Sequence, residues 1–331
     1  MDPLEALTEI AYLLERERAS AFKSKAFRRA ADAIASLPAD VVADPVRLKA
    51  VKGVGDSSYK VIRQALEGRV PDYLAELRER TGGGPTSGLR ARLRGDLHSH
   101  SEWSDGTTPI EEMVDAARAL GHEYLALTDH SPRLRVANGL SVERLERQLE
   151  VVAGLGGDGI RLLSGIEVDI LDDGGLDQTD EMLGRLDVVV ASVHSKLSMD
   201  PAQMTRRMIG AVSNPYTDVL GHITGRLVEG SRGTRPGATF DAEAVFAECA
   251  ARGVAVEINS RPERQDPPDE LIALALDAGC LFSIDSDAHA PGQLSLLDYG
   301  AERAERAGVP EERIVTTWPA EKLLEWTTRK R

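Results

Sequence analysis

Apolar residues recur at helical spacing in the first part of the chain. The pattern is rough over residues 4–14 and clearer over residues 26–34, where Phe27, Ala30 and Ile34 fall on one face. Three successive glycines at 82–84 then leave the backbone without a preferred conformation. The pattern predicts a small all-α domain over residues 1–80, followed by a Gly-rich linker over residues 81–93.

From about Arg94 the pattern changes to short apolar runs that alternate with amphipathic helical stretches. The predicted strands are residues 93–97, 124–127, 160–166, 188–193, 219–220, 254–258 and 282–284. Patterns of helical period lie between them, at residues 110–120, 142–155, 201–211, 240–251 and 271–278. Seven strand–helix units with parallel connections predict an α/β fold, a closed or nearly closed (β/α) barrel. In such barrels the chemistry lies at the carboxyl ends of the strands.

Composition excludes several classes of protein. The 331 residues are 42% hydrophobic and 28% charged, which is typical of a globular chain of about two domains. No apolar run approaches the roughly 20 residues that cross a bilayer, and the first residues carry no secretion signal, so no membrane partner is expected. Cys249 and Cys280 are the two cysteines and have no CxxC spacing, which excludes a disulfide scaffold and a thiolate zinc site. We expect a cytoplasmic location.

The charge is distributed unevenly. The net charge is −14, but residues 1–94 contain 17 Lys and Arg against 13 Asp and Glu, a net of +4. Residues 95–331 contain 23 against 41, a net of −18. The two regions are therefore expected to have different electrostatic tasks, with the basic region as the candidate for contact with a polyanion.

Six of the seven histidines lie at or just after the carboxyl end of a predicted strand; His122 precedes its strand and is interpreted as structural. His98 and His100 are two residues apart, so both rings point to the same face. Asp287 and His289 repeat this spacing at the last strand, which becomes a neighbour of the first when a barrel closes. The other strand ends carry His130, Glu167, His194 and His222.

Nitrogen and oxygen donors without cysteine suit Zn, Mn or Fe, and so many donors exceed the need of one ion. We therefore expect a cluster of two or three ions. Close-set ions lower the pKa of bound water and bind both the attacking and the leaving oxygen, as phosphoester hydrolysis requires. The Gly-x-Ser-x-Gly motif of serine hydrolases and the GxxxxGK[ST] motif of NTPases are absent from the sequence.

The histidines belong to an ordered series of motifs that resembles the PHP (polymerase and histidinol phosphatase) domain over residues 94–331. The motifs are Asp96-Leu97-His98-Ser99-His100, Trp103-Ser104-Asp105-Gly106, Thr128-Asp129-His130, Gly165-Ile166-Glu167, Ser192-Val193-His194, Gly221-His222 and Ser286-Asp287-Ala288-His289. The resemblance implies a distorted seven-stranded (β/α) barrel with three divalent metal ions and phosphoesterase activity. It places the catalytic metal ligands on His98, His100, Asp105, His130, Glu167, His194, His222, Asp287 and His289.

Four basic residues in the loops after the strands are candidates for binding the substrate phosphate. Arg226 follows His222 by four residues, and Arg264 lies in the loop after the sixth predicted strand; both fit the family's pattern. Arg261 in the same loop and Lys196, two residues after His194, are further candidates. Guanidinium groups suit phosphate oxygens because their donors form a planar fork.

The basic N-terminal region contains a sequence similar to a helix-hairpin-helix motif. Lys52, Gly53, Val54 and Gly55 form the predicted hairpin, and Lys60 lies on the helix that follows. Glycines let the backbone approach a DNA phosphate, and main-chain N–H groups at the helix start can donate to it. Residues 1–80 as a whole resemble the N-terminal domain of family-X DNA polymerases. The short linker leaves no room for a polymerase core, so polymerisation is excluded, and DNA is the expected partner of this domain.

Three functions remain in competition. The first is a metal-dependent phosphoesterase at DNA ends, a 3′–5′ exonuclease or 3′-phosphatase. The second is a small-molecule phosphatase for histidinol phosphate or nucleotide monophosphates, which the net charge of −18 in residues 95–331 favours because long DNA would be repelled. The third is a DNA-binding module whose barrel only regulates.

Overall fold

The computed structural model describes residues 1–81, 87–155, 157, 159–230 and 233–329. It divides the chain into a helical unit, Met1–Gly84 with Pro291–Gln293, and a barrel unit, Pro85–Ala290 with Leu294–Arg331. Residues 82–86, which include the three glycines of the expected linker, lie outside the described residues.

Among the described residues, six helices form the helical unit. They are α1 (Pro3–Arg16), α2 (Ala21–Ala35), α3 (Ala39–Ala43), α4 (Pro45–Lys49), α5 (Asp56–Leu66) and α6 (Asp72–Thr81). Asp2 caps α1 by accepting from the Leu4 and Glu5 backbone N–H groups at 2.8 and 3.0 Å. The apolar positions of α1, α2 and α5 meet in one core that includes Leu7, Phe27 and Ile62, so the helical domain predicted over residues 1–80 has its own buried interior.

The turn between α4 and α5 is the helix hairpin. Gly53 has a φ of +104°, a backbone conformation that disfavours side chains, and a Cβ there would lie 3.2 Å from the Arg29 carbonyl oxygen. Gly55 precedes α5, and its backbone N–H donates to Ser58 Oγ at 2.9 Å. The sequence Gly-Val-Gly therefore forms the tight turn that the spacing predicts.

Seven parallel strands form one sheet in sequential order, which confirms the α/β barrel predicted from the alternating pattern. They are β1 (Gly95–Asp96), β2 (Tyr124–Leu127), β3 (Arg161–Asp169), β4 (Val188–Ser192), β5 (Val219–Leu220), β6 (Ala255–Asn259) and β7 (Leu281–Asp285). Every neighbouring pair is parallel, with Val190 of β4 opposite Val219 of β5 as one example of the register.

In the part of the barrel unit that the structure describes, eight helices accompany the strands. They are α7 (Ile110–Ala119), α8 (Val142–Gly154), α9 (Asp180–Leu183), α10 (Pro201–Ser213), α11 (Ala242–Arg252), α12 (Asp269–Asp277), α13 (Leu297–Arg306) and α14 (Ala320–Thr328). Alternate residues of each strand face different layers: Val189 and Ala191 pack with the helix-facing cluster, whereas Val188 and Val190 pack with Leu323 of α14. Within the described ranges, no helix combines the length and apolar character needed to cross a bilayer.

The barrel closes between β1 and β7 with few ladder bonds. The His100 N–H donates to the Ala288 carbonyl at 2.8 Å just beyond the two strands. Below that point, buried carboxylates join the strands: Asp96 accepts from the Ser286 N–H at 3.2 Å and Asp285 accepts from the Leu97 N–H at 2.9 Å. Side chains thus take the place of part of a backbone ladder at this seam.

Several predicted boundaries need correction. The end of the expected linker belongs to the barrel unit, because Leu89 and Leu93 are buried in its core. β1 is shorter than residues 93–97, since only Gly95 and Asp96 pair with β2. β3 extends to Asp169, so Glu167 lies within a strand rather than after it. The helix predicted from residue 240 starts at Ala242, because the Asp241 side chain caps it.

Candidate metal centre

The predicted metal ligands lie at one end of the barrel because the alternation of side chains along the strands continues past the strand ends. Tyr124 and Ala126 of β2 lie on the same inner face of the sheet as Val188 and Val190. The same alternation continued past the strand places His130 on that side. In β3, Leu163 faces inward and Glu167 follows it four residues later on the same face. The apolar interior of the barrel therefore gives way to polar side chains at the carboxyl ends of the strands.

The structure brings all nine predicted ligand residues together. Three overlapping groups each place one donor atom per residue within 4.8 Å of the others. The groups are His100, Asp105, His130 and His289; His98, His100 and Asp287; and His130, Glu167 and His194. His100 and His130 each belong to two groups, so the groups form one continuous cluster.

Glu167 lies at the centre of the cluster. Its carboxylate is 2.8 Å from His222 Nε2 and 2.8 Å from His130 Nδ1. His194 Nε2 and His98 Nε2 lie 3.2 and 3.3 Å from it. His222 is in none of the three groups above, and its distance from Glu167 is what joins it to the cluster.

Asp105, the ligand position that spacing alone did not indicate, lies at the outer side of the cluster. Its Oδ1 is 3.4 Å from His130 Nε2 and 3.3 Å from His289 Nε2. Burial opposes ionisation of this carboxyl, but the hydrogen bonds to His130 and His289 outweigh it and hold its pKa well below the usual range. Asp105 is therefore an anionic donor at neutral pH.

Opposing forces act on the buried histidines. Burial disfavours the charged form of His130, but the Glu167 carboxylate outweighs it and raises the pKa of His130 to about 10. Burial, assisted by His289 and His130, lowers the pKa of His100 to about 3. Burial also opposes ionisation of Glu167, but His194, His98 and His130 hold its pKa well below the usual range. The pKa of each donor therefore depends on burial and on the charges of its neighbours in the cluster.

The donor set fits divalent metal ions. In the described part of the chain, His98 Nε2, both ring nitrogens of His100 and His222 Nδ1 are buried without a hydrogen-bond partner. Unpaired buried polar atoms cost free energy, and metal ligation would satisfy imidazole nitrogens in this position. Imidazole and carboxylate donors suit Zn, Mn or Fe.

Carboxylates that the sequence analysis did not single out hold the cluster from outside. Asp169 Oδ1 lies 3.2 Å from His194 Nδ1 and also accepts from the His194 backbone N–H at 3.3 Å. Asp129 accepts from Ser101 Oγ at 2.6 Å and Ser104 Oγ at 2.5 Å, which fixes the loop that carries Asp105. Asp169 follows Glu167 at the i+2 spacing of one strand face, a signal that could have indicated it.

The four predicted phosphate-binding residues have different surroundings. Arg264 Nε lies 3.1 Å from Asp287 Oδ2, and Arg261 Nη1 lies 3.1 Å from His289 Nδ1. Arg226 instead donates from Nε to the carbonyl oxygens of Arg264 and Gln265, at 3.1 and 3.0 Å. The structure therefore places Arg264 and Arg261 at the cluster, whereas the Arg226 guanidinium holds the loop that carries Arg264.

Lys196 lies farther out. Its side chain is exposed, and its Nζ is 2.5 Å from Asp172 Oδ2. Its φ is +54°, a left-handed conformation that costs a residue with a side chain about 1 kcal/mol or more. The loop after β4 thus holds Lys196 in a strained backbone two residues from His194.

Comparison with known families agrees with this arrangement. Residues 96–261 match the PHP domain model, and residues 1–70 match a helix-hairpin-helix domain model. The chain belongs to the PHP domain family. The match covers the strand ends that carry His98 to His222, and the resemblance inferred from the motifs is confirmed.

Two curated relatives are similar to this PHP chain. The DNA polymerase/3′-5′ exonuclease PolX of Bacillus subtilis (strain 168) is 35% identical over 226 residues, which are 68% of this chain. The alignment spans 39% of the length of that polymerase. A probable phosphatase of Caldicellulosiruptor saccharolyticus is 30% identical over 233 residues, covering 67% of this chain and 91% of the relative.

A solved structure is also similar to the PHP barrel. It is the crystal structure of histidinol phosphate phosphatase from Lactococcus lactis complexed with zinc, L-histidinol and phosphate. The TM-score is 0.49 at 17% sequence identity, and the alignment covers 65% of this chain and 94% of the other.

Family membership assigns the PHP chain to the metal-dependent phosphoesterases as a class. The cluster of histidine and carboxylate donors in its barrel is consistent with that class. A barrel that only regulates DNA binding, the third function considered from the sequence, does not agree with this assignment.

A cavity of about 710 Å³ opens beside the cluster of the PHP barrel at His194. Its apolar lining includes Leu197, Met199 and Pro236. Its basic residues are Lys196 and Arg235, and the described residues that line it include no carboxylate. The cavity is large enough for a drug-sized ligand and adjoins the candidate metal ligands.

The predicted DNA-binding residues of the helical unit lie on its hairpin. Lys52 and Gly55 are exposed, and Gly53 and Val54 are half-buried. Lys60 extends from α5 with its Nζ 4.0 Å from Asp72 Oδ2, a distance typical of a weak surface ion pair. The hairpin therefore presents backbone groups and lysine side chains to solvent.

Proposed function

We propose that this chain hydrolyses phosphoester bonds at DNA ends, as a 3′–5′ exonuclease or 3′-phosphatase. The observation that carries the proposal is the set of three overlapping donor groups that share His100 and His130. Three groups suit three divalent ions, Mn, Zn or Fe. The residues that would hold them are His98, His100, Asp105, His130, Glu167, His194, His222, Asp287 and His289.

Bound divalent ions would lower the pKa of water and neutralise phosphate charge. The protein's own part is to hold the donors and to orient the phosphate. Arg264 is half-buried beside Asp287, and its Nε bond to that carboxylate orients the guanidinium before substrate arrives, so it can bind a phosphate oxygen with little reorganisation. Arg261 Nη1 donates to the Asp287 carbonyl oxygen at 2.9 Å. Arg226 supports Arg264 through the loop carbonyls, and Lys196 lies at the cavity.

The cavity beside His194 supports a substrate that contains a nucleotide. An apolar surface with basic residues suits a nucleobase and a neighbouring phosphate. The lining therefore suits a nucleotide.

The helical unit supplies the proposed DNA contact. Exposed Lys52 and the hairpin backbone can bind phosphate oxygens whatever the base sequence. The match to a helix-hairpin-helix domain model and the similarity to a DNA polymerase/3′-5′ exonuclease support this assignment. The cytoplasmic location stays a prediction.

A direct test is Mn²⁺-dependent turnover of 3′-labelled single- and double-stranded DNA beside histidinol phosphate and a panel of mononucleotides. We expect the DNA to be shortened or to lose a 3′-phosphate. A full-length chain that turns over a small phosphoester and leaves both DNA forms intact would contradict the proposal.

A small-molecule phosphatase acting on histidinol phosphate or nucleotide monophosphates is the second candidate. The net charge of −18 over residues 95–331 favours it, because an acidic surface repels long DNA. The assay above separates the two candidates directly, and within the second candidate the apolar lining of the cavity suits the base of a mononucleotide.

A further inference from the structure

β6 differs from the other strands of the barrel. Six strands are each followed by, or contain, at least one of the nine proposed ligands, and none of the nine lies on β6. β6 nevertheless places two polar side chains, Glu257 and Asn259, on the inward face that begins with Ala255. Both side chains are buried, with exposed fractions of 0% and 1%.

Glu257 accepts hydrogen bonds from two neighbouring strands. Its Oε1 lies 2.6 Å from His98 Nδ1, and its Oε2 accepts from the His222 backbone N–H at 2.5 Å. A histidine that donates from Nδ1 keeps the lone pair of Nε2, and His98 Nε2 faces Glu167 at 3.3 Å. The Glu257 contact thus selects the nitrogen of His98 that points into the cluster.

Asn259 extends this arrangement to the last strand. Its Nδ2 lies 3.2 Å from Glu257 Oε2 and 3.2 Å from Asp287 Oδ2. Its Oδ1 accepts from the Arg261 backbone N–H at 3.1 Å, which sets the orientation of the amide. Asn259 therefore connects Glu257 to a third proposed ligand, Asp287.

We propose that Glu257 is a positioning residue, assisted by Asn259, that orients His98, His222 and Asp287 for metal binding. The proposal rests on the proposed metal centre and adds to it a role for the strand without ligands. Only a carboxylate can accept from His98, His222 and Asn259 together. In Glu257→Gln the single amide oxygen can accept either from His98 or from His222 and Asn259. The amide NH₂ then faces the remaining donor.

The experiment compares zinc binding by the full-length wild type, Glu257→Gln and a matched control, Glu248→Gln. Glu248 is a carboxylate of α11 that bonds Ser213 and Arg252 and none of the nine residues. Zinc affinity is measured by competition with a chromophoric chelator. We expect Glu257→Gln to weaken the tightest zinc site about 10- to 100-fold, as loss of a partner that orients a histidine ligand typically does. Glu248→Gln is expected to bind zinc as the wild type does.

A second measurement separates positioning from general destabilisation. The ring ¹⁵N spectrum of the zinc-loaded wild type is expected to show His98 with a slowly exchanging proton on Nδ1. In Glu257→Gln this proton should exchange faster, while the ring signal of His122 stays unchanged. Equal zinc affinity and an equal His98 signal in wild type and variant would overturn the proposal.

Two outcomes separate this inference from the proposed function. A wild type that binds zinc but processes no DNA end contradicts the substrate assignment, whereas the Glu257 result still stands. A wild type that binds no zinc overturns the metal centre and this proposal together. If Glu257→Gln does not fold, Asn259→Ser removes the amide that bonds Asp287, Glu257 and the Arg261 N–H, and it leaves the Glu257 contacts with His98 and His222 in place. It is expected to weaken zinc binding several-fold, and wild-type affinity in that variant would overturn the proposal.

Discussion

The barrel unit and the helical unit carry their candidate functional groups in opposite ways. In the barrel, donors such as His98, His100 and Glu167 are buried and lie within a few ångströms of one another, so each affects the charge of the next. In the helical unit, Lys52 and Gly55 are exposed. Buried, coupled groups make individual residues indispensable, whereas exposed groups bind a polyanion additively. The contrast predicts large effects of single substitutions in the barrel and small effects in the hairpin.

The largest effect is expected at a donor shared by two groups. His100→Asn should lower phosphoesterase activity by about 10³-fold or more, because bound metal contributes several kcal/mol to the transition state. It should also lower the number of bound metal ions per chain. Steady-state kinetics and elemental analysis measure the two effects.

His122→Leu is the matched control for that variant. His122 is the buried histidine outside the cluster, and in the described part of the chain neither of its ring nitrogens has a hydrogen-bond partner. Replacement by an apolar residue of similar size should therefore leave activity and metal content close to the wild type. Equal losses in both variants would show that general destabilisation, rather than metal binding, accounts for the result.

A second experiment ranks the two arginines that the sequence analysis treated alike. Arg264→Ala should lower kcat/KM by about 100-fold, in the range found when a donor to the transition state is removed. Arg226→Ala should have an effect about tenfold smaller, because Arg226 bonds the loop carbonyls rather than the cluster. A larger loss in Arg226→Ala than in Arg264→Ala would show that the guanidinium of Arg226 turns to the substrate.

Much of the barrel could be predicted from local pattern. The limits of β2 and β5 agree with the sequence analysis, because short apolar runs bounded by polar residues are typical of buried strands. Histidine placement at strand ends indicated the cluster, since the fold brings those ends together.

Contacts between distant residues could not be predicted in the same way. Glu257 lies within an apolar run that indicates a strand, and its partner His98 is 159 positions earlier. The direction of the Arg226 side chain depends on a loop from another strand, so its motif alone did not show that it bonds carbonyl oxygens. β1 was predicted too long because only Gly95 and Asp96 pair with β2, and pairing with a distant strand does not show in a local apolar run.

A substitution in the hairpin is expected to have a smaller effect, on DNA binding. Lys52→Ala should weaken DNA binding several-fold at low salt and reduce the slope of log K against log [salt] by about 0.9, the loss of one phosphate contact. Fluorescence anisotropy with chelator present measures binding without degradation. Arg185→Ala removes one exposed cation from the barrel and is the control. A change of slope in the control alone would mean that DNA contacts the barrel surface instead.

The smallest effect concerns the start of the hairpin. Asp44 accepts from the Val46 and Arg47 backbone N–H groups at 2.8 and 3.0 Å and so caps α4. The bond from Arg47, followed by that from Val46, lowers the pKa of Asp44. A lowered pKa means that the ionised cap stabilises the helix above the ordinary carboxyl pKa, and that this stabilisation is lost as pH falls through the lowered value.

Asp44→Ala should therefore speed hydrogen exchange of the α4 amides at neutral pH, and the difference from wild type should disappear in acid. Mass spectrometry of a peptide covering residues 44–55 measures the exchange, with Asp32→Ala as a variant of α2 that starts no helix. A difference that persists below the lowered pKa would show that Asp44 acts through packing rather than through its charge. In that case the hairpin would resemble the barrel, where single buried contacts decide the local structure.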